Sequence, residues 1–245
     1  AYDYELIIEN SKKNTKRLKS GLTSLLNKKD IDIFNGEASF INKNEVEIKQ
    51  ANDTIKISSE NIVISTGSKP FFPNNLAPDG VNIVDSDFVL TSKELPEKIC
   101  ILGGGYIGIE FAYLYNSFNV DVTIIESANS ILGFLDREIV EELKKSYTKK
   151  GIKIHESTTI SKIKKSEKNL KINVTNSEGE FEIDTQLLLL STGRIPNTDN
   201  LNLSKCAVKK DKFGFIKVNN SYQTNIENIF AIGDVIGGSM LAHKA

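Results

Sequence analysis

The sequence predicts an α/β fold in which a parallel sheet with crossover helices is joined to an antiparallel meander. Three observations carry this. A glycine-rich turn, Gly103-Gly-Gly105-Tyr-Ile-Gly108, stands between an apolar strand and a helical pattern. From Lys98 to Lys149 short apolar strands alternate with helices, as in a β-α-β-α chain. A meander of alternating residues that ends in an apolar strand and Ser-Thr-Gly occurs twice.

Ala1–Ser11 is mixed in character and supports no assignment. Leu18, Leu22, Leu25 and Leu26 then recur at helical spacing with lysines opposite, predicting a helix over about Thr15 to Lys29. Ile31–Ile33, Glu45–Ile48 and Thr54–Ile57 alternate between polar turns and read as short antiparallel strands. Asn61–Ile64 runs apolar into Ser65-Thr-Gly67, and a proline-rich connector covers Pro70 to Pro78. Ile99–Leu102 is the strand before the glycine turn, with a helix over Tyr106 to Phe118 and a strand over Val120 to Ile125. A second helix, about Asp136 to Lys149, has Asp136 as its N-cap. The second meander uses Ser157–Ile163, Leu170–Val174 and Phe181–Ile183, and Leu187–Leu190 enters Ser191-Thr-Gly193. A last strand, Asn228–Ile232, stops at Gly233-Asp234, and a helix is expected to begin at Met240.

The two meanders match in order and in detail. Lys28-Lys-Asp-Ile-Asp-Ile33 resembles Lys149-Lys-Gly-Ile-Lys-Ile154, and Ser65-Thr-Gly-Ser-Lys-Pro70 resembles Ser191-Thr-Gly-Arg-Ile-Pro196. Only the second copy opens on a glycine-rich strand–turn–helix, so the front of a first nucleotide-binding unit is expected to be missing. The absence of an initiator Met points to a processed or engineered start.

Composition narrows the function. With 31 Lys+Arg against 32 Asp+Glu, the net charge of −1 lacks the basic footprint of a nucleic-acid binder. Cys100 and Cys206 form neither a Cys-x-x-Cys motif nor a disulfide framework, which fits a reducing compartment. His155 and His243 are too far apart in sequence for the usual zinc spacing, so no metal is expected. The longest apolar stretch, Ile99–Tyr115, holds Glu110 and four glycines and is not a membrane span.

Gly103, Gly105 and Gly108 fit G-x-G-x-x-G in the context that gives the pattern meaning, after a strand and at a helix start. In a Rossmann-like unit the first glycine permits the tight turn, the second lets backbone approach a pyrophosphate, and the third lets helix pack on strand. Glu126 falls about 20 residues on, where a carboxylate accepts from a ribose 2′-hydroxyl and repels a 2′-phosphate, so NAD is expected over NADP. The plainer alternative is that the glycines only pack helix against sheet. Gly67 and Gly193 end strands where ligands of open α/β sheets lie, or are ordinary turns. Arg194 faces cofactor or solvent, and Asp234 either accepts from a polyol or caps a helix.

Gly103–Glu110, Thr192-Gly-Arg-Ile-Pro-Asn197 and Thr224-Asn-Ile-Glu-Asn-Ile-Phe-Ala-Ile-Gly-Asp234 together resemble the flavin-dependent pyridine nucleotide–disulfide oxidoreductases. Gly238-Ser-Met-Leu-Ala-His-Lys244 resembles their dihydrolipoamide dehydrogenase branch. The resemblance covers nearly the whole chain but only about the middle half of the family's. It implies a Rossmann-like NAD-binding domain over about 91–215, between partial FAD-binding segments over 1–90 and 216–245. It implies that Gly103, Gly104, Gly105, Tyr106, Ile107, Gly108, Glu126, Ile160 and Gly193 contact NAD. Gly36, Thr66, Gly67 and Ser68 would lie along FAD, Asp234 at its ribityl or pyrophosphate region, and Met240, Leu241, Ala242 and His243 beside its ring. Tyr106 would lie where nicotinamide enters, and Glu110 would pair with a lysine outside this sequence.

The resemblance further implies a cytoplasmic or organelle-matrix homodimer that oxidises the dihydrolipoyl group of a lipoyl domain in a 2-oxo acid dehydrogenase complex. Its Cys-x4-Cys redox pair and its His-Glu acid–base pair are absent here, so no catalytic residue is expected and the chain alone is expected to be inactive. Cys100 and Cys206 read as structural, and His155 as a surface or packing residue. The rival expectations are a non-catalytic NAD-binding module and a different NADH-dependent flavin reductase.

Overall fold

The computed structural model describes residues 3–73 and 76–242. In chain order the elements are α1 (Tyr4–Asn27), β1 (Glu37–Asn42), β2 (Glu45–Lys49), β3 (Thr54–Ser58), β4 (Ile62–Ile64), β5 (Ser68–Pro70), β6 (Ile83–Val84), α2 (Ser86–Val89), β7 (Lys98–Leu102), α3 (Tyr106–Ser117), β8 (Asp121–Ile125) and α4 (Arg137–Lys149). There follow β9 (Lys153–His155), β10 (Thr159–Lys165), β11 (Leu170–Asn176), β12 (Gly179–Thr185), β13 (Leu187–Leu190), β14 (Arg194–Pro196) and β15 (Ile229–Ala231). They divide into two compact units, Ala1–Leu22 with Pro70–Gly193 and Thr23–Lys69 with Arg194–Ala245.

The first unit is built on a five-stranded parallel sheet ordered β6-β13-β7-β8-β9. Strand alternation sends its side chains into two layers. Ile99, Ile101, Val122, Ile124, Leu187 and Leu189 bury against one set of helices, through Ile109, Ala112 and Tyr115 of α3 and Val140 and Tyr147 of α4. Cys100, Ile125, Leu188 and Leu190 point the other way and bury against Leu170, Ile172 and Val174 of β11. The four leucines of β13 are all buried because both faces of that strand are covered. The covering sheet is the antiparallel meander β10-β11-β12. The α/β class with a parallel sheet and a meander is thus the one the sequence predicts. Asp136 caps α4 as expected, accepting from the Glu138 amide at 2.9 Å.

The second unit holds the antiparallel sheet β1-β2-β3 and the parallel pair β15–β4, around Phe40, Ile64, Leu203, Val208, Ile216, Ile229, Ala231 and Val235. The units are drawn differently from a domain over 91–215. Residues 194–215 belong to the second unit because Leu203, Cys206 and Val208 bury in its core. Residues 70–90 belong to the first, where β6 pairs with β13.

Two local expectations change. Ile31–Ile33 is not a strand; the Ile31 amide bonds back to the Leu26 carbonyl at the end of α1, and both isoleucines are exposed. The first strand of the meander is β1, which buries Phe40. Helix α1 begins eleven residues before Thr15, at Tyr4. Tertiary contacts hold that extension: Tyr4 meets Phe118 edge-on at 5.2 Å, and Glu5 and Glu9 both pair with Lys93. The helix expected from Met240 falls largely outside the described residues, and Met240 itself has a left-handed φ of 45°. Among the described residues no helix is long and apolar enough to cross a membrane.

The proline-rich connector is ordered by Its Oδ1 accepts from the amides of Val81, Asn82 and Ile83 at 2.9–3.0 Å, and its Oδ2 from Lys165 at 2.7 Å. Burial alone would raise the Asp79 pKa, but Lys165 and these amides outweigh it and hold the carboxyl well below the usual range. A depressed carboxyl stabilises the fold above its unfolded pKa of about 3.9 and loses that contribution as pH falls through its folded value. Acidification below about pH 4 is expected to lower the urea midpoint of wild type more than that of Asp79→Asn. Equal acid-induced losses in the two proteins would contradict this.

Candidate functional site

The site of the first unit forms where β7, β8 and β13 end. The chain must turn sharply after Leu102 so that α3 can lie on the sheet. Gly103 does this with φ 110°, donating its amide to the Ile125 carbonyl at 2.8 Å. A Cβ on Gly103 would stand 2.3 Å from the Ser191 carbonyl oxygen, and one on Gly108 would stand 2.0 Å from the Gly103 oxygen. A Cβ on Gly104 would meet the Ile131 side chain at 2.5 Å. These three glycines answer a packing demand.

Gly105 does not. Its φ of −80° is open to any residue, and nothing lies within 4 Å of where its Cβ would be. It is the N-cap of α3, without a side-chain hydrogen bond to the helix, so donors of the first turn are left for another acceptor. With Gly103, Glu126, Ser127, Ser191 and Gly193 it lines a cavity of about 240 Å³. Gly193 has φ 120° and the space beside it is likewise open. A neighbouring cleft of about 750 Å³ shares Leu102, Ser127 and Thr192 with this cavity and is lined further on by Ile160 of β10. The backbone thus leaves room at the turn, where a pyrophosphate fits.

Glu126 bridges two loops. Its Oε2 accepts from the Gly104 amide at 2.7 Å and its Oε1 from the Ala128 amide at 2.7 Å, with the Ser127 hydroxyl at 3.3 Å. The carboxylate has further lone pairs for a ribose hydroxyl. Ser191, which sequence reasoning passed over, donates its hydroxyl to the Leu102 and Gly103 carbonyls at 3.0 Å and ties the end of β13 to the turn. Tyr106 is partly exposed and packs edge-on against Phe134 at 4.8 Å; Ile107 is half-buried. Glu110 is exposed on α3.

In the second unit the two Thr-Gly motifs meet a third segment. Thr66 Oγ1 donates to the Asn197 carbonyl at 2.8 Å, and the Asn197 amide donates to the Gly67 carbonyl at 3.0 Å. Ser68 Oγ donates to Asp234 Oδ2 at 2.6 Å. Arg194 donates to Ser68 twice, Nε to Oγ at 2.6 Å and Nη2 to the carbonyl at 2.8 Å. Arg194 therefore turns toward Ser68, and Asp234 is held by Ser68 rather than capping the short 3₁₀ turn Gly233–Ile236, whose cap residue is Ile232. Gly36 answers to packing, since a Cβ there would stand 2.6 Å from the Lys49 carbonyl oxygen. Met240 and Leu241 are half-buried and Ala242 is exposed; His243 lies outside the described residues.

Both thiols are free and buried. Burial pushes Cys100 up to about 12 and raises Cys206 as well. His155 packs against Phe181 at 4.9 Å, and burial, then Lys153, lowers its pKa.

Residues 2–245 match the family described as pyridine nucleotide-disulphide oxidoreductase. A dihydrolipoyl dehydrogenase from Buchnera aphidicola is 36% identical over 238 residues, which are 96% of this chain and 50% of that protein. A soluble pyridine nucleotide transhydrogenase from Sodalis glossinidius is 36% identical over 87% of this chain and 45% of its own length. A solved structure, a Cu(II) complex of a mutant of the HOCl-induced flavoprotein disulfide reductase RclA from Escherichia coli, superposes with a TM-score of 0.90 at 28% identity, covering 99% of this chain and 55% of that one. The chain spans about half the length of the curated relatives it matches. With the glycine turn, the strand-end glutamate and a match along nearly all of its residues, the chain belongs to the pyridine nucleotide-disulphide oxidoreductase family.

Proposed function

We propose that this chain is the nucleotide-handling portion of a dihydrolipoyl dehydrogenase. Its first unit binds NAD through Gly103–Gly108, Glu126, Ile160 and Gly193. In its second unit Gly36, Thr66, Gly67, Ser68, Asp234 and the segment from Met240 serve FAD. The observation that carries the nucleotide reading is Gly105, a glycine that neither its backbone angle nor its neighbours require, at a helix start that lines a cavity. The dihydrolipoyl reading is supported by 36% identity to a protein of that name along almost the whole chain. The cofactors supply the redox chemistry, electrons passing from a dihydrolipoyl dithiol by way of a disulfide and the flavin to NAD. The protein's residues bind and orient them. The partners that follow are a lipoyl domain and a second copy of the protein.

The transhydrogenase among the relatives favours a second reading, in which both NADH and NADPH are handled. Glu126 separates the two readings, because a carboxylate at that strand end repels a 2′-phosphate. Wild type is expected to bind NADH at least tenfold more tightly than NADPH in a fluorescence titration. Glu126→Ala should weaken NADH about tenfold, the scale of one charge-assisted hydrogen bond of roughly 1.5–3 kcal/mol. Equal dissociation constants for the two nucleotides in wild type would overturn the NAD assignment and favour the transhydrogenase reading.

A second expectation concerns turnover. The thiolate is the nucleophile in dithiol–disulfide exchange. Cys100 and Cys206 are buried with raised pKa values, and neither can serve. The 245-residue chain supplied with FAD, NAD and dihydrolipoamide is expected to form no NADH. Turnover would show that the reading of these cysteines as structural is wrong.

A further inference from the structure

We propose that Ser68 and Arg194 are positioning residues that fix the Asp234 carboxylate for a hydroxyl of the flavin's ribityl chain. This rests on the flavin reading of the second unit. The two residues occupy the same place in the repeated motif, directly after Thr-Gly, in Ser65-Thr-Gly-Ser-Lys-Pro70 and Ser191-Thr-Gly-Arg-Ile-Pro196. The fold brings these equivalent positions together, as β5 pairs with β14. What differs between the copies is the chemistry that meets.

The direction of the relay is dictated by the groups themselves. A guanidinium only donates and a carboxylate only accepts. With Arg194 Nε at 2.6 Å from Ser68 Oγ, the hydroxyl accepts from Arg194, and its one proton goes to Asp234 Oδ2 at 2.6 Å. The second arm of Arg194 grips the Ser68 carbonyl at 2.8 Å, so the fork fixes the serine at two points. A lysine ammonium has no such fork. Asp234 Oδ2 is thereby held, and among the described residues Oδ1 accepts no hydrogen bond. The guanidinium also lies 4.0 Å from Oδ2, so the acceptor stands beside a compensating charge. A carboxylate so balanced suits a ligand that carries both hydroxyls and a pyrophosphate, which an uncompensated carboxylate would repel.

Two measurements on the full chain test this. The first uses no ligand: exchange of the Arg194 Nε–H proton, followed by ¹⁵N NMR. Slow exchange is expected in wild type and Ser68→Thr, and at least tenfold faster exchange in Ser68→Ala. Unchanged exchange in Ser68→Ala would overturn the clasp. The second is titration with FAD, read by flavin fluorescence. Ser68→Ala and Arg194→Lys should each weaken FAD about tenfold, Ser68→Thr should restore it, and the double variant should be no weaker than either single one, as for one coupled unit. If Asp234→Asn weakens FAD while Ser68→Ala and Arg194→Lys do not, the positioning role is wrong and the flavin reading stands. If wild type binds no FAD, or Asp234→Asn binds it as wild type does, the flavin reading falls and the role with it; the exchange measurement still decides whether the clasp exists.

Discussion

At the end of β7 the backbone of three segments crowds into a space that admits no side chain. A Cβ on Gly103 would collide with the Ser191 carbonyl, and one on Gly108 with Gly103 itself. Only this close approach lets α3 settle on β7 and β8 and bury Ile109, Ala112 and Tyr115. The same approach brings the ends of β7 and β13 within reach of Ser191 Oγ, and the turn within reach of Glu126. The loops that outline the cavity are therefore tied to one another before any ligand arrives. Pre-ordering of this kind lowers the conformational cost of binding.

The constraint has a second consequence, on the far side of the sheet. Because the helices claim Ile99 and Ile101, the intervening Cys100 must face the meander, where it packs with Leu188, Leu190 and Ile172. Its burial follows from strand alternation and removes it from redox chemistry. The meander in turn carries Ile160 to the cleft beside the cavity. A β-bulge at Ser161 shifts the register of β10 between Ile160 and Lys162, so that Ile160 and Ile163 both oppose buried residues of β11. The repeat seen in the sequence thus serves two ends: its meanders cover sheets, and its Thr-Gly motifs supply hydrogen-bond partners at strand ends.

Features set by short-range sterics were legible in the sequence. The glycine turn, the all-leucine strand β13 and the Asp136 cap each follow from residue type and spacing. Features set by distant partners were not. The first turns of α1 depend on Phe118 and Lys93, so no local pattern announces them. Ile31–Ile33 alternates like a strand but remains exposed after the helix end. Strand β6, two residues long, exists because β13 pairs with it. Arg194 looked equally suited to cofactor or solvent, because Ser68 lies 126 positions away in the chain. The role of Ser191 was hidden for the same reason. In the glycine motif, sequence alone could not separate glycines needed for packing from a glycine needed for a ligand; the structure separates Gly105 from the rest.

That separation is the most exposed point of the account, and Gly105→Ala tests it. The added methyl meets nothing in the protein and suits the backbone angle, so thermal stability should stay within about 0.5 kcal/mol of wild type. It would stand in the cavity at the helix start, and NADH affinity should fall at least tenfold. A folded Gly105→Ala protein that binds NADH as wild type does would contradict the placement of the nucleotide at this turn.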